Sequence, residues 1–215
     1  MRWLPHDLPV ADVGAGDGQL TALLLARGAP AVVATELHPG AFGRLRERLG
    51  GLDRVSLRPG DGLAPLASGE VVAAAVAGMG EYTIGRILGQ GLETARSMRR
   101  LVLQPMQRTA YLRRRLALLG LPLTQEDLAW EGGRFYQVLV VEPGKAALPW
   151  DRERSPLGPL LSHRQDEGAR AFRREVRRVW TTRLALTPPA RQATLRLLLE
   201  RLAALDEVPE GDGWA

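Results

Sequence analysis

The stretch Val10-Ala11-Asp12-Val13-Gly14-Ala15-Gly16-Asp17-Gly18-Gln19-Leu20 decides the fold. Its first residues read as a short buried strand, and Gln19 opens a helical pattern. Between them, Gly14, Gly16 and Gly18 permit a sharp turn that a ligand can approach without a Cβ in the way. The helix behind the turn offers free N–H groups to an anionic or polar ligand.

Two more strands follow the same plan. Ala31-Val32-Val33-Ala34-Thr35-Glu36 is apolar and ends in an acid, and Arg54-Val55-Ser56-Leu57-Arg58 leads into Gly60-Asp61-Gly62. Acids therefore stand at or just after the ends of three successive strands, where open α/β sheets bind ligands. A carboxylate after the second strand suits a ribose diol, and one after the third suits an exocyclic adenine amine. An adenosine derivative is implied. Gly-x-Gly-x-x-Gly would need glycine at position 19, where Gln19 stands. The sole lysine is Lys145, so a phosphate-binding Gly-x-x-x-x-Gly-Lys loop is excluded. Asp12, two residues ahead of Gly14, points instead to S-adenosylmethionine.

At 215 residues with 45% apolar content, the chain can build one medium domain with an appendage. It has no apolar run of about 18 residues for a membrane span, and no signal-peptide pattern at its start. Zero cysteines excludes disulfides and thiolate metal sites and fits a reducing cytoplasm. His6, His38 and His163 are scattered, so no metal site is expected. The net charge of +5 is compatible with a nucleic-acid partner.

Further along, helices are expected over 19–27 and 41–49, the second opened by Pro39. Strands are expected over 70–77 and 100–104. A helix over 82–96 is weakened near Gly89, and a basic helix covers 109–119. Segments 121–131 and 134–142 flank Gly132-Gly133, a hairpin turn signal. Alternating β/α units with a terminal hairpin predict an α/β fold: a Rossmann-like class I methyltransferase sheet, parallel strands plus a terminal antiparallel hairpin. After the proline-rich 143–159, helices over 160–184 and 190–205 should form a C-terminal antiparallel helical hairpin of coiled-coil type. Phe172, Val176, Val179 and Arg183 form one expected stripe, with Trp180 and Leu184 adjacent, and the second helix carries Leu195, Leu198, Leu199, Leu202 and Leu205 at heptad-like spacing. Arg170, Arg173, Arg174, Arg177 and Arg178 share one basic face, either merely solvated or tracking RNA phosphates. The domain reading is 1–145 for the cofactor domain, 146–159 for a connection, 160–208 for the helical hairpin and 209–215 for a tail.

Carried by Ala11-Asp12-Val13-Gly14, Arg58-Pro59-Gly60-Asp61-Gly62-Leu63, Ala77-Gly78-Met79-Gly80, Leu101-Val102-Leu103-Gln104-Pro105, Tyr136-Gln137-Val138-Leu139-Val140 and Gly158-Pro159-Leu160-Leu161, the chain resembles the bacterial tRNA (adenine-22-N1)-methyltransferase family. The resemblance runs from Val10 to about Leu205. It implies transfer of a methyl group from S-adenosylmethionine to N1 of a tRNA adenine. It also implies a cofactor set of Asp12, Gly14, Gly16, Glu36, Leu37, Asp61, Gly62, Ala77, Gly78 and Met79. The chain departs from the family at Asp17, one place from the family's acid, and at Met106, where asparagine is usual. The family's helix ahead of the first strand is largely absent.

Adenine N1 carries its own lone pair, so placement matters more than a strong base. Asp17 is the candidate acceptor of product charge, with helix capping as its alternative role. Gln104 could bond the adenine edge, Tyr82 could stack on a base, and Arg113 and Arg114 could meet RNA. The expected partner is tRNA, with no membrane and no metal, and the chain a monomer or a weak dimer through its helical hairpin. Two alternatives stay open on the residues alone: an inactive cofactor-binding RNA-binding protein, and a methyltransferase acting on a small molecule or a protein.

Overall fold

The structure is a computed structural model that describes residues 2–107, 109–149 and 157–205. It divides into two compact units, Met1–Gln125 with Tyr136–Leu148, and Glu126–Phe135 with Pro149–Ala215. The expected tail and half of the expected connection lie outside the described residues.

The first unit is built on alternating strands and helices: β1 (Val10–Val13), α1 (Gln19–Ala26), β2 (Val32–Glu36), α2 (Pro39–Leu49), β3 (Val55–Pro59), β4 (Ala73–Met79), α3 (Glu81–Gln90), α4 (Leu92–Ser97), β5 (Arg100–Pro105) and α5 (Thr109–Leu118). Two long strands follow, β6 (Leu123–Glu131) and β7 (Arg134–Val141). The sheet order is β3-β2-β1-β4-β5-β7-β6. Strands β1 to β5 pair in parallel, and β7 runs antiparallel to β5. This is the Rossmann-like methyltransferase sheet that the alternation predicts.

Burial follows the period-two geometry of a strand covered on both faces. Ala11, Val13, Ala74 and Val76 pack with Ile84, Leu88, Leu112 and Leu116 on one side. Val10, Ala73 and Ala75 pack with Leu24 and Leu25 on the other. At the hairpin tip Gly132 and Gly133 both take positive φ (55° and 77°), the backbone that a tight two-residue turn requires.

Two elements differ from the sequence expectation. The fourth strand begins at Ala73, not Glu70, because Glu70 turns back to pair with Arg58 and to accept from the Ala67 N–H. The expected helix over 82–96 divides at Gly91, where a Cβ would lie 2.6 Å from the Leu63 Cβ. That close approach, more than helix propensity, fixes the break.

In the second unit, α6 (Glu167–Ala185), a 3₁₀ turn (Pro189–Arg191) and α7 (Ala193–Ala204) make the C-terminal helical pair. Helix α6 starts at Glu167, not near Leu160. Asp166 caps it by accepting from the Ala169 N–H at 3.1 Å, a contact worth about 1 kcal/mol. Ahead of it, Leu160 N–H donates to Glu126 Oε2 at 2.9 Å, which holds that segment in a turn. Phe172, Val176 and Trp180 pack with Leu157, Leu161, Leu202 and Leu205. The packed stripe steps by four residues, so Val179 and Arg183 are left exposed.

Candidate active site

A cavity of about 390 Å³ opens at the C-terminal ends of the parallel strands, lined by residues of the glycine turn, of the segments after β2 and β3, and of α3. Its shape is set by Thr35. The Thr35 carbonyl accepts from Gly14 N–H (2.8 Å) and Ala15 N–H (2.9 Å), and the Thr35 hydroxyl donates to the Gly62 carbonyl (2.9 Å). Thr35 thus ties the glycine turn, through its backbone carbonyl, and the segment after β3, through its hydroxyl, to the end of β2. In the sequence nothing distinguishes Thr35 from the other residues of the second strand.

The backbone of the first loop needs glycine. Gly14 has φ +72°, and a Cβ there would overlap the Met79 Cε, so the Met79 side chain lies directly on the turn. Gly16 N–H donates to Glu36 Oε2 (2.9 Å) and His38 N–H to Glu36 Oε1 (2.8 Å). Glu36 is buried and oriented by these two donors, and each oxygen keeps lone-pair capacity for a further hydroxyl.

Asp61 also lines the cavity. Both of its oxygens are met by Arg86, with Nη1 to Oδ2 at 2.5 Å and Nη2 to Oδ1 at 3.1 Å, and Arg86 is steadied by Gln90. The Arg86 guanidinium holds the Asp61 carboxyl below the ordinary carboxylate range. Leu37, Gly62, Met79 and Ile87 complete the lining with apolar surface. Two acids on a partly apolar cavity suit a nucleoside, whose hydroxyl and amine groups donate hydrogen bonds.

Asp12 occupies a different place. It is buried behind the turn, does not line the cavity, and accepts from the Thr21 hydroxyl at 2.7 Å. Burial pushes its carboxyl up to about 6, against the lowering effect of the Thr21 hydrogen bonds, and nearby Glu36 adds to the rise. Ala77 and Gly78 likewise sit beside the cavity without lining it. Gly78 N–H donates to Gln104 Oε1 at 2.9 Å, which joins the ends of β4 and β5.

The two candidate catalytic residues are engaged locally. Asp17 accepts from Gln19 Nε2 (3.1 Å), pairs with Arg48 of α2 (3.5 Å), and is absent from the cavity lining. It does not cap α1 either, since Gly18 occupies the cap position. Gln104 accepts from Gly78 and donates to the Pro105 carbonyl (2.9 Å).

Among the substrate candidates, Tyr82, Arg114, Arg174 and Arg178 are exposed, and Arg170 and Arg177 are half-buried. Arg174 pairs with Glu167 and Arg178 with Glu175, both at surface geometry. Two arginines depart from the expectation. Arg113 is buried and donates to Gln137 Oε1 (3.0 Å), and Arg173 is buried and donates to the Arg164 carbonyl (2.6 Å) and to Gln165. Burying a guanidinium requires internal acceptors, and these two spend theirs on holding their own units together. No group of acids and histidines among the described residues could hold a metal ion, and no helix there is long and apolar enough to cross a membrane.

Residues 1–139 match the family model described as a methyltransferase domain. The chain belongs to the methyltransferase-domain family. The chain is 32% identical over 154 residues to the Bacillus subtilis (strain 168) tRNA (adenine(22)-N(1))-methyltransferase, an alignment covering 70% of this chain and 65% of that relative. Among solved structures, it is similar to a Streptococcus pneumoniae candidate tRNA (m1A22) methyltransferase, 26% identical with a TM-score of 0.83, covering 96% and 94% of the two chains. The same pneumococcal protein in complex with S-adenosyl-L-methionine gives a TM-score of 0.79 at 26% identity, covering 91% of each chain. A Streptococcus agalactiae protein of the NADB-Rossmann superfamily, 22% identical, shares the fold with a TM-score of 0.84, covering 95% and 92%.

Proposed function

We propose that the chain is an S-adenosylmethionine-dependent tRNA methyltransferase acting on N1 of an adenine, at position 22 by likeness to its relatives, in the cytoplasm. The observation that carries this reading is a cavity of about 390 Å³ lined by Glu36 and Asp61 in a chain 32% identical to an enzyme of that name.

Glu36 would accept from the ribose hydroxyls of the cofactor, and Asp61 from its adenine amine. Leu37, Met79 and Ile87 give apolar contact. Asp12 supports the turn from behind through Thr21. The bound cofactor supplies an electrophilic methyl group on its sulfonium. The chain's task is to hold the target N1 in line at near-attack distance, about 3 Å, and to exclude water. Reaching a base within folded RNA calls for turning it out of its stack.

Exposed Arg114, Arg174 and Arg178, with Arg170 and Arg177, supply positive charge for phosphate contact. Arg170 and Arg174 pair with Glu167 and Arg178 with Glu175 in surface ion pairs, so phosphate can compete for these three arginines. Self-association through the helical pair is at most weak.

The test uses an unmodified tRNA transcript and a copy with guanine in place of adenine 22. Label from S-adenosylmethionine should enter the first and not the second. Equal transfer to both would reject the position, and transfer to neither would reject the substrate.

A further inference from the structure

Helix α3 carries two working faces. Thr83, Arg86 and Ile87 line the cavity. About a third of a turn away, Tyr82, Gly85 and Gly89 fall on a second face at helical spacing. That face meets α5 at close range. A Cβ at Gly85 would lie 3.0 Å from Arg115 Cγ and 3.8 Å from Tyr111 Cε1, and one at Gly89 would lie 2.8 Å from Arg115 Nη2. The glycines that weaken α3 by propensity therefore form a seam against α5. Tyr111, Arg115 and Leu119 stack along it in steps of four.

The seam brings two tyrosines together at the first turns of both helices. The Tyr82 and Tyr111 rings lie 4.3 Å apart at 49°, and both side chains are exposed, 53% and 37%. Helices α3 and α5 follow β4 and β5 directly, and the ends of those strands are bridged by Gly78 and Gln104. Met106, also exposed, follows β5. Two exposed aromatic rings in contact leave costly apolar surface in water, and surface of this kind marks binding sites.

We propose that Tyr82 and Tyr111 form the platform on which the unstacked target adenine rests, with Tyr111 held in place by the Gly85–Gly89 seam. This rests on the RNA methyltransferase reading and adds to it the surface that receives the base. A stack on tyrosine needs a flat π-face and no fixed hydrogen bond. Gly80 and Thr83, two and one residues from Tyr82 in the chain, line the cavity and are small enough to leave room for a base edge.

The test has two arms. In the first, unmodified tRNA carrying 8-azidoadenine at the methylated position is bound to the wild-type protein with S-adenosylhomocysteine, irradiated and digested. The proposal expects the adduct on the peptide holding Tyr82 or the one holding Tyr111. In the second, single-turnover transfer is measured at saturating tRNA and cofactor. Tyr111→Leu and Tyr82→Leu should each slow transfer about ten- to a hundredfold, the size of a lost base–aromatic stack. Tyr111→Phe should restore it, and S-adenosylhomocysteine affinity should stay within about twofold throughout. Adducts elsewhere, undiminished transfer by Tyr111→Leu, or equal loss in Tyr111→Phe would overturn the platform while leaving the RNA methyltransferase reading intact. A wild-type protein that neither binds nor methylates tRNA would overturn both.

Discussion

Asp61 and Arg86 form a two-pronged ion pair on the cavity wall, with N–O distances of 2.5 and 3.1 Å. The acid proposed to receive the cofactor's adenine amine is thus oriented in advance by a cation from α3. Removing the acid should cost more than removing its holder. Asp61→Ala should weaken S-adenosylhomocysteine binding about ten- to a hundredfold, the scale of a hydrogen bond to a charged group. Arg86→Ala should weaken it about two- to tenfold. Arg86 lowers the Asp61 carboxyl's affinity for protons, so the ionised form persists to lower pH in the wild type. Calorimetric titrations at pH 7.5 and 3.5 should show a steeper acid loss of affinity in Arg86→Ala, because only there does a carboxyl of ordinary value take up its proton. Unchanged affinity in Asp61→Ala would remove this wall from the cofactor site.

Asp12 should make the protein less stable at neutral pH. Its carboxyl is raised from 3.8 to about 6 by burial. A raised carboxyl pKa means that the folded state binds the proton more tightly than the unfolded chain. The resulting stabilisation is full below about 4 and is lost as pH rises through about 6. Asp12→Asn keeps an acceptor for Thr21 and removes the buried charge. It should therefore raise stability at pH 7.5, by at most about 3 kcal/mol, with little difference at pH 4. Denaturant melts at the two pH values check this. A gain that does not depend on pH would contradict the assignment.

Glu142 has the opposite sign. Burial pushes its carboxyl up, but hydrogen bonds from Arg100, Lys145 and Thr124 outweigh burial and bring it down to about 2. Its contribution is full above the ordinary carboxylate value and lost as pH falls toward about 2. Glu142→Gln should cost about 1–3 kcal/mol at pH 7 and little at pH 2, as read by the same melts.

Gly14 faces two separate demands. Alanine there would be strained by φ +72° and would collide with Met79. Gly14→Ala should lower both stability and S-adenosylhomocysteine affinity. Adding Met79→Ala should relieve the collision and recover part of the stability. The left-handed backbone penalty of about 1–2 kcal/mol should remain. Full recovery in the double variant would mean that the backbone conformation is not required.

The sheet was legible because its strands are short apolar runs separated by glycine and proline, and each run ends where a ligand would sit. Glu36, Asp61 and Gly14 could be placed on the cavity from that rule alone. Tertiary contacts were not legible. Nothing local marks Thr35 as the tie between the glycine turn and the segment after β3, or Arg86 as the partner of Asp61. The glycines of α3 read as helix breakers, yet Gly85 and Gly89 are contact points that admit Arg115. The basic stripe of α6 was counted as one face, but Arg173 turns inward because the Arg164 carbonyl and Gln165 accept from it. Its packed stripe follows Phe172, Val176 and Trp180, a step of four that single-sequence spacing did not separate from a step of three.

The measurement that tests the central claim most directly is transfer of labelled methyl from S-adenosylmethionine to unmodified bulk tRNA, followed by nucleoside analysis. The account predicts N1-methyladenosine as the labelled product. Cofactor binding without transfer, or label on a different nucleoside, would contradict it.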